Sequence, residues 1–249
     1  MMVKRLFIIC ITLVTALGAG AQERKVENRP YTDLRQLHFG ILLGAHLQDI
    51  ELQNLGWQEI SAEEGGTGTS ELITVDADKW SPGFNVGVMA DYRLGKHFSL
   101  RATPMLHFGA KNITFYRPSL AADGVMPYVT QDMKTTYIAM PINVKFAAER
   151  MNNHRPYIMA GIDPVINLTT TSQDFLRQKG ADCFLEVGLG CDFYLPFFKF
   201  APELKFCYGL SNSISTGGET DLLDKTMRPY RRSVTQGRSK MFVLTFYFE

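Results

Sequence analysis

The segment KMFVLTFYFE (240–249) alternates large apolar residues with smaller or polar residues at every second position. One side of the extended segment carries Phe242, Leu244, Phe246 and Phe248, and the other carries Val243, Thr245, Tyr247 and Glu249. Such alternation predicts a β-strand with two different faces. Because an exposed edge strand with so apolar a face invites aggregation, we expect this strand to be paired on both edges, with its aromatic face turned to lipid.

Seven other segments have the same period of two. They are residues 37–49, 83–95, 97–111, 136–146, 156–168, 182–194 and 202–212. In each segment one face is apolar, and the other mixes glycine with hydroxyl, amide and charged side chains. No long segment after residue 21 has a helical period, so the sequence predicts eight strands in an all-β fold.

The connections between these strands alternate in length. The short connections are RLGKH (93–97), AAERMNNHR (147–155) and LPFFKF (195–200). The long connections are Ile50–Ser81, Ala110–Lys134, Thr169–Ala181 and Ser213–Lys240. An even number of strands with short periplasmic turns and long external loops is typical of outer-membrane barrels. We therefore predict an eight-stranded antiparallel up-and-down transmembrane β-barrel over residues 37–249, with both termini on the periplasmic side.

The first residues predict export from the cytoplasm. Lys4 and Arg5 precede an apolar run, which ends at the small residues of Ala19–Ala21. This pattern is typical of a secretory signal peptide over residues 1–21, and the run is too short for a membrane-spanning helix. Residues 22–36 are polar and are expected to extend into the periplasm. The formal net charge of +1 over 249 residues gives no support for nucleic-acid binding.

The charged residues on the inner faces predict a filled lumen. They are Asp91, Arg93, Arg101, Lys145, Asp163, Glu186, Asp192, Glu203 and Lys205. An eight-stranded barrel is only wide enough inside for its own side chains. We therefore expect these residues to form a network of salt bridges in a filled polar lumen, with no open pore.

The first and last long connections carry opposite charges. The first is acidic, and the last contains Lys225, Arg228, Arg231, Arg232, Arg238 and Lys240. One interpretation is that the two solvated loops attract each other. The other is that the basic residues contact the phosphates of lipopolysaccharide or an acidic partner.

No motif predicts a cofactor, a metal site or catalysis, and the barrel is expected not to be an enzyme. His107 resembles the histidine of a lipid-modifying barrel enzyme, but nothing in the sequence marks a serine partner for it. A soluble, lipocalin-like barrel with its apolar face inward is a further alternative, although its core would be overfilled with aromatic side chains.

Several segments resemble the PorT family of Bacteroidetes outer-membrane barrels. YIAMPINVKF (137–146), RPYIMAGIDP (155–164), PELKFCYGLSN (202–212) and FVLTFYFE (242–249) resemble small barrels of that phylum. ENRPYTDLRQLHFGILLGAHLQD (27–49) resembles PorT itself. The resemblance implies a non-enzymatic component or assembly factor of the type IX protein secretion system, which exports proteins with C-terminal sorting domains and serves gliding motility in relatives. The alternative is a generic surface barrel for adhesion or lipopolysaccharide contact.

Overall fold

The structure is a computed structural model that describes residues 26, 28–77, 79–122, 124–169, 174–215, 217 and 222–249. The predicted signal peptide, residues 1–21, lies outside the described residues. None of the helices within the described residues is both long enough and apolar enough to cross a bilayer.

The described residues form twelve strand segments in one antiparallel sheet. They are β1 (Leu37–Asn54), β2 (Gly56–Glu59), β3 (Ser70–Ala77), β4 (Ser81–Arg93), β5 (Phe98–Ala102), β6 (Met105–Tyr116), β7 (Tyr128–Ala139), β8 (Ile142–Ala147), β9 (His154–Asn167), β10 (Ala181–Tyr194), β11 (Lys199–Gly209) and β12 (Val234–Phe248). The helical segments are single turns, at Thr32–Leu34, Ala62–Glu64, Ser119–Ala122, Lys225–Met227 and Arg228–Arg232.

Two of the spanning strands are each divided into two segments by a proline. Pro104 separates β5 from β6, and Pro141 separates β7 from β8. Proline has no backbone N–H to donate to the ladder, so the regular pairing stops for two residues and then resumes. Strand β4 pairs with both β5 and β6, and strand β9 pairs with both β7 and β8. Each pair of segments is therefore one strand, and eight strands span the barrel.

The eight strands close into a ring. The last strand, β12, pairs with β11 on one edge and with β1 on the other, from Ile41↔Phe248 to Asn54↔Val234. Closure leaves no edge among the spanning strands, as hydrocarbon requires. The predicted eight-stranded up-and-down barrel, with β12 paired on both edges, is confirmed.

The two faces of the wall differ as the alternation predicts. On β12, Val243 and Thr245 are fully buried in the lumen, whereas Phe242 and Leu244 are 44 % and 41 % exposed on the outside. The same alternation continues around the ring, from Phe39 and Ile41 on β1 to Leu204 on β11. The apolar belt therefore faces outward, where it matches lipid, and the lipocalin-like alternative is wrong.

Three of the four long connections are shorter than predicted. Strands β1, β6, β7 and β12 continue beyond the apolar belt, and β2 and β3 form a hairpin that pairs with β6. The predicted loops at 50–81, 110–134 and 213–240 are therefore wrong in extent. The reason is that alternation of apolar and polar residues marks only the part of a strand that faces lipid, while the hydrogen-bonded ladder continues above it.

These extensions enclose a second apolar core at the end that carries the long connections, here called the outer cap. Its buried residues are Ile50, Ile60, Ile73, Val75, Ile113, Phe115, Met133, Leu176, Ile214, Tyr230 and Val234. Phe115 packs against Phe175 and Tyr230, with ring centroids 5.5 and 5.4 Å away. The outer cap therefore closes the barrel at the end of the long connections.

Candidate functional site

The centre of the lumen is built around Arg101, whose side chain is 1 % exposed. Its guanidinium donates to Asp91 Oδ2 (3.0 Å) and to Glu203 Oε2 (2.8 Å). The hydroxyl groups of Tyr157 and Tyr247 each donate to Glu203 at 2.8 Å. The guanidinium carbon also lies 4.8 Å from the centroid of the Tyr247 ring. One cation thus joins two carboxylates from different strands, with two tyrosines completing the hydrogen bonds.

Two further ion pairs occupy the lumen. Lys145 donates to both oxygens of Asp192, at 2.7 and 3.0 Å. Lys205 lies 3.4 Å from Glu186, which also accepts a hydrogen bond of 2.9 Å from Asn143 Nδ2. All five side chains are buried. Together with the Arg101 cluster, these pairs fill the cross-section of the barrel with side chains.

The two remaining charged residues predicted for the lumen behave differently. Arg93, the last residue of β4, does not join the network and instead donates to the backbone carbonyls of Asp33 (2.7 Å) and Gly95 (3.0 Å). The prediction for Arg93 is wrong because its strand ends there, and the long side chain turns to the rim. Asp163 does face the lumen, but no salt bridge to it is formed within the described residues.

The tyrosines that complete this network are not among the predicted lumen residues. Tyr157 and Tyr247 occupy inward positions of β9 and β12. The signal for them was present, because a phenol on an otherwise polar inner face is expected to find a hydrogen-bond partner when buried. Lys111 is likewise not among the predicted lumen residues. Its ammonium group donates hydrogen bonds to Tyr137 and Ser239, at 3.1 and 2.8 Å.

His107 lies in the lumen and not on the lipid-facing wall. Its side chain is 2 % exposed, and its ring packs edge-on against His46 with the centroids 5.2 Å apart. Among the described residues, neither ring nitrogen of His107 has a hydrogen-bond partner. The geometry therefore does not support the lipid-modifying alternative, which needs a histidine within reach of lipid.

The short-turn end is closed by residues 28–36. Asn28 donates to the carbonyl of Tyr194 (3.0 Å), and the Tyr194 hydroxyl donates to Asp33 (2.5 Å). Arg150 and Arg155 each lie 3.7 Å from the Asp33 carboxylate. The space beneath is a partly open cavity of about 40 Å³, which is large enough for water. The expectation that this segment extends freely is wrong for its described part, because the segment satisfies its polar groups on the barrel.

The end with the long connections brings together the acidic and basic connections. Lys225 pairs with Glu63 at 2.7 Å, and Arg232 lies 3.5 Å from Glu64. Arg231 is 2 % exposed and donates to the carbonyl of Asp174 at 2.6 Å. Arg228 begins the short helix Arg228–Arg232 beside them. The geometry favours the interpretation in which the two loops attract each other.

Arg238 and Lys240 lie elsewhere. They are on β12, at positions that share the outward face of Phe242. The Arg238 guanidinium donates to the Tyr208 hydroxyl (3.4 Å), and Lys240 pairs with Glu51 at 3.0 Å. The prediction of a single basic loop is therefore wrong for these two residues, which lie on the wall immediately above the apolar belt, opposite Asp49 and Glu51 of β1.

A buried ion pair holds the β2–β3 hairpin in the outer cap. Glu71 is 5 % exposed and accepts hydrogen bonds from Arg117 (2.9 Å) and Ser119. The same Arg117 side chain also donates to the carbonyl of Gly65. Burial raises the pKa of Glu71, but the hydrogen bonds from Ser119 and Arg117 outweigh it and hold the pKa below its usual value. The charged carboxylate is therefore the form that stabilises the outer cap.

Acid is expected to loosen the outer cap through Glu71. Because its pKa is lower in the folded state, its contribution is complete above the pKa of the unfolded chain and is lost as the pH falls through the folded pKa. At neutral pH, Glu71→Gln should lower the cap's free energy of unfolding by about 1–3 kcal/mol and remove this acid dependence. Hydrogen exchange of residues 70–77 against pH measures both effects. Glu63→Gln, at an exposed pair that water screens, serves as the control and should change both far less.

A family model identifies the kind of protein to which the chain belongs. The family model described as "Outer membrane protein beta-barrel domain" matches residues 21–215. Among curated proteins, none matches the chain. The chain is similar to a solved structure of Ail, the attachment invasion locus protein of Yersinia pestis, with 11 % identity and a TM-score of 0.36; the match covers 86 % of this chain and 99 % of that one. It is also similar to a solved structure of Neisserial surface protein A, with 10 % identity and a TM-score of 0.39; that match covers 86 % of this chain and 98 % of the other. Because the family model matches more than half of the chain, the protein belongs to the family of outer-membrane β-barrel domains.

Proposed function

We propose that the protein is a non-enzymatic component or assembly factor of the type IX secretion system, and that it acts by binding partners and not by conducting them. The proposal that the barrel does not conduct polypeptides rests on one observation, which is that the barrel is filled at three levels. The outer cap closes one end, the Arg101 cluster and its neighbouring ion pairs fill the middle, and residues 28–36 cover the other end. A polypeptide has no path through such a lumen.

The choice of secretion system rests on the resemblance of residues 27–49 and the four other segments to the PorT family. The first of these segments has a double role in the fold. Its first part covers the short-turn end, and its second part is strand β1, which closes the ring with β12. Because this segment both closes the barrel and covers one end, its double role is a physical reason for its distinctive sequence.

The proposed orientation places the short turns and both ends of the chain in the periplasm, and the outer cap outside the cell. Long connections outside and short turns inside are the rule for bacterial barrels of this type. Residues 1–21 then act as the signal peptide, and residues 22–36 face the periplasm. Tyr31 and Leu34, which are 77 % and 67 % exposed there, are the side chains that a periplasmic component of the system would contact.

Gene deletion tests the proposed function. In a strain that lacks the gene, proteins with C-terminal sorting domains should disappear from the culture medium and accumulate in the periplasm. Expression of the full chain should restore secretion. A Tyr31→Ser, Leu34→Ser variant should restore it only in part, because its apolar contact surface is reduced.

The matched control for that variant is Met126→Ser, which changes a side chain that is 83 % exposed on a long connection and should restore secretion fully. Heat-dependent gel mobility verifies that each variant forms a barrel. Normal secretion in the deletion strain would contradict the type IX role.

The second candidate is a surface barrel for adhesion or lipopolysaccharide contact. The observation that favours it is the position of Arg238 and Lys240 just above the apolar belt, because the phosphates of an outer-leaflet lipid lie at that level. This position is compatible with the type IX role, since any barrel in this membrane contacts such lipids. Normal secretion in the deletion strain would leave this candidate in place.

A further inference from the structure

Asp163 is a buried carboxylate without a hydrogen-bond donor. It lies on β9, faces the lumen and is 0 % exposed. Within the residues that the structure describes, neither of its oxygens accepts a hydrogen bond. The backbone N–H of Met140 is close enough to favour the charged carboxylate, although its hydrogen bond is to the carbonyl of Pro164, at 3.1 Å. Because an ionised carboxylate in a buried site is costly without a compensating group, something must neutralise it.

A second acceptor without a donor lies on the neighbouring strand. Asn143, on β8, is 1 % exposed, and its Nδ2 donates to Glu186 at 2.9 Å. This hydrogen bond leaves Oδ1 of the same amide without a donor among the described residues. The side-chain atoms of Asp163 and Asn143 that lack a partner among the described residues are thus all hydrogen-bond acceptors.

Gly161 brings these groups together. It pairs with Asn143 on one side and with Glu186 on the other, and Asp163 follows two residues later on the same face of β9. A Cβ at Gly161 would lie 2.2 Å from Asn143 Oδ1, so only glycine lets the amide lie against the wall. Three adjacent strands therefore direct oxygen atoms into one part of the lumen.

The charges of this part of the lumen do not balance. Glu186 repels the Asp163 carboxylate and Lys205 attracts it. Two carboxylates against one ammonium leave one negative charge, while Arg101 and Lys145 are engaged with their own carboxylates. A single positive charge would neutralise the site, whereas a divalent ion would leave an excess positive charge beside Lys205.

We propose that the lumen binds one monovalent hard cation of the Na⁺ class, with the Asp163 carboxylate and Asn143 Oδ1 as ligands and Glu186 as the neighbouring carboxylate. Oxygen ligands of this kind suit hard cations and not soft transition metals. The ion joins strands β8 and β9 at a point where Pro141 interrupts the hydrogen-bonded ladder between them. This site is independent of the proposed role in secretion.

Thermal unfolding of the detergent-solubilised barrel tests the site. Na⁺ is exchanged for N-methyl-D-glucamine at constant ionic strength, and the folded fraction is followed by gel mobility. Because a ligand that binds only the folded state stabilises it by mass action, the midpoint should rise by about 3–6 °C for each tenfold increase in Na⁺ above the dissociation constant. Equilibrium binding of ²²Na⁺ should give one ion per chain.

Variants locate the effect. Asp163→Asn should lose both the Na⁺ dependence and the bound ²²Na⁺, whereas Asp132→Asn, at an exposed aspartate on β7, should keep both. If Asp163→Asn does not fold, the unmodified protein still decides the matter. A midpoint that is the same in Na⁺ and in N-methyl-D-glucamine would overturn the proposal and assign the missing positive charge to a proton on Asp163. Retention of the Na⁺ response in Asp163→Asn would overturn the assigned ligands.

Discussion

Arg101→Met should lower the free energy of unfolding of the barrel by about 3–5 kcal/mol. The substitution leaves Asp91 and Glu203 buried in the lumen without their shared cation. Removing one partner of a buried ion pair costs more than the pair itself contributes, because the uncompensated charge stays away from water. Urea unfolding in lipid vesicles, followed by the fluorescence of Trp80 beside the apolar belt, measures the loss.

Two variants separate this mechanism from the loss of volume or of surface charge. Arg93→Met removes an arginine at the rim that donates, among the described residues, only to backbone carbonyls, and should cost about 1 kcal/mol. The triple variant Arg101→Met, Asp91→Asn, Glu203→Gln has no unpaired charge, and should recover part of the stability that Arg101→Met loses. A triple variant less stable than Arg101→Met would show that the effect is not electrostatic.

Phe115→Ala should unfold the outer cap while the barrel below it remains. Phe115 is 0 % exposed and lies at the contact between Phe175 and Tyr230. Truncation of a buried phenylalanine costs about 3–5 kcal/mol, which is large for a core of so few residues. Limited proteolysis should therefore cleave the long connections rapidly, and gel mobility should still report a folded barrel.

Trp57→Ala is the matched control, because it removes an aromatic ring of the same outer cap that is 70 % exposed. It should leave the cleavage rate unchanged. Equal protease resistance of Phe115→Ala and the unmodified protein would mean that the outer cap does not depend on its apolar core. Simultaneous loss of the barrel would mean that cap and barrel unfold as one unit.

The sequence alone determined the barrel, because the evidence for it is local. Alternation within each segment assigns every side chain to a face, as in Phe242 outward and Val243 inward. Alternating short and long connections fix an antiparallel up-and-down order. Both patterns depend only on residues that are neighbours in the sequence. They can therefore be read without knowing the register in which adjacent strands pair.

Only the tertiary structure decided which charges meet and how the ends close. Arg101 and Glu203 are 102 residues apart in the sequence, and their contact depends on the stagger of strands across the ring. Residues 28–36 and the outer cap lie outside the apolar belt. Their sequences therefore lack the alternation of apolar and polar residues that contact with lipid requires. The physical reason is that lipid imposes a pattern residue by residue, whereas an ion pair or a cap depends on the register of the whole closed sheet.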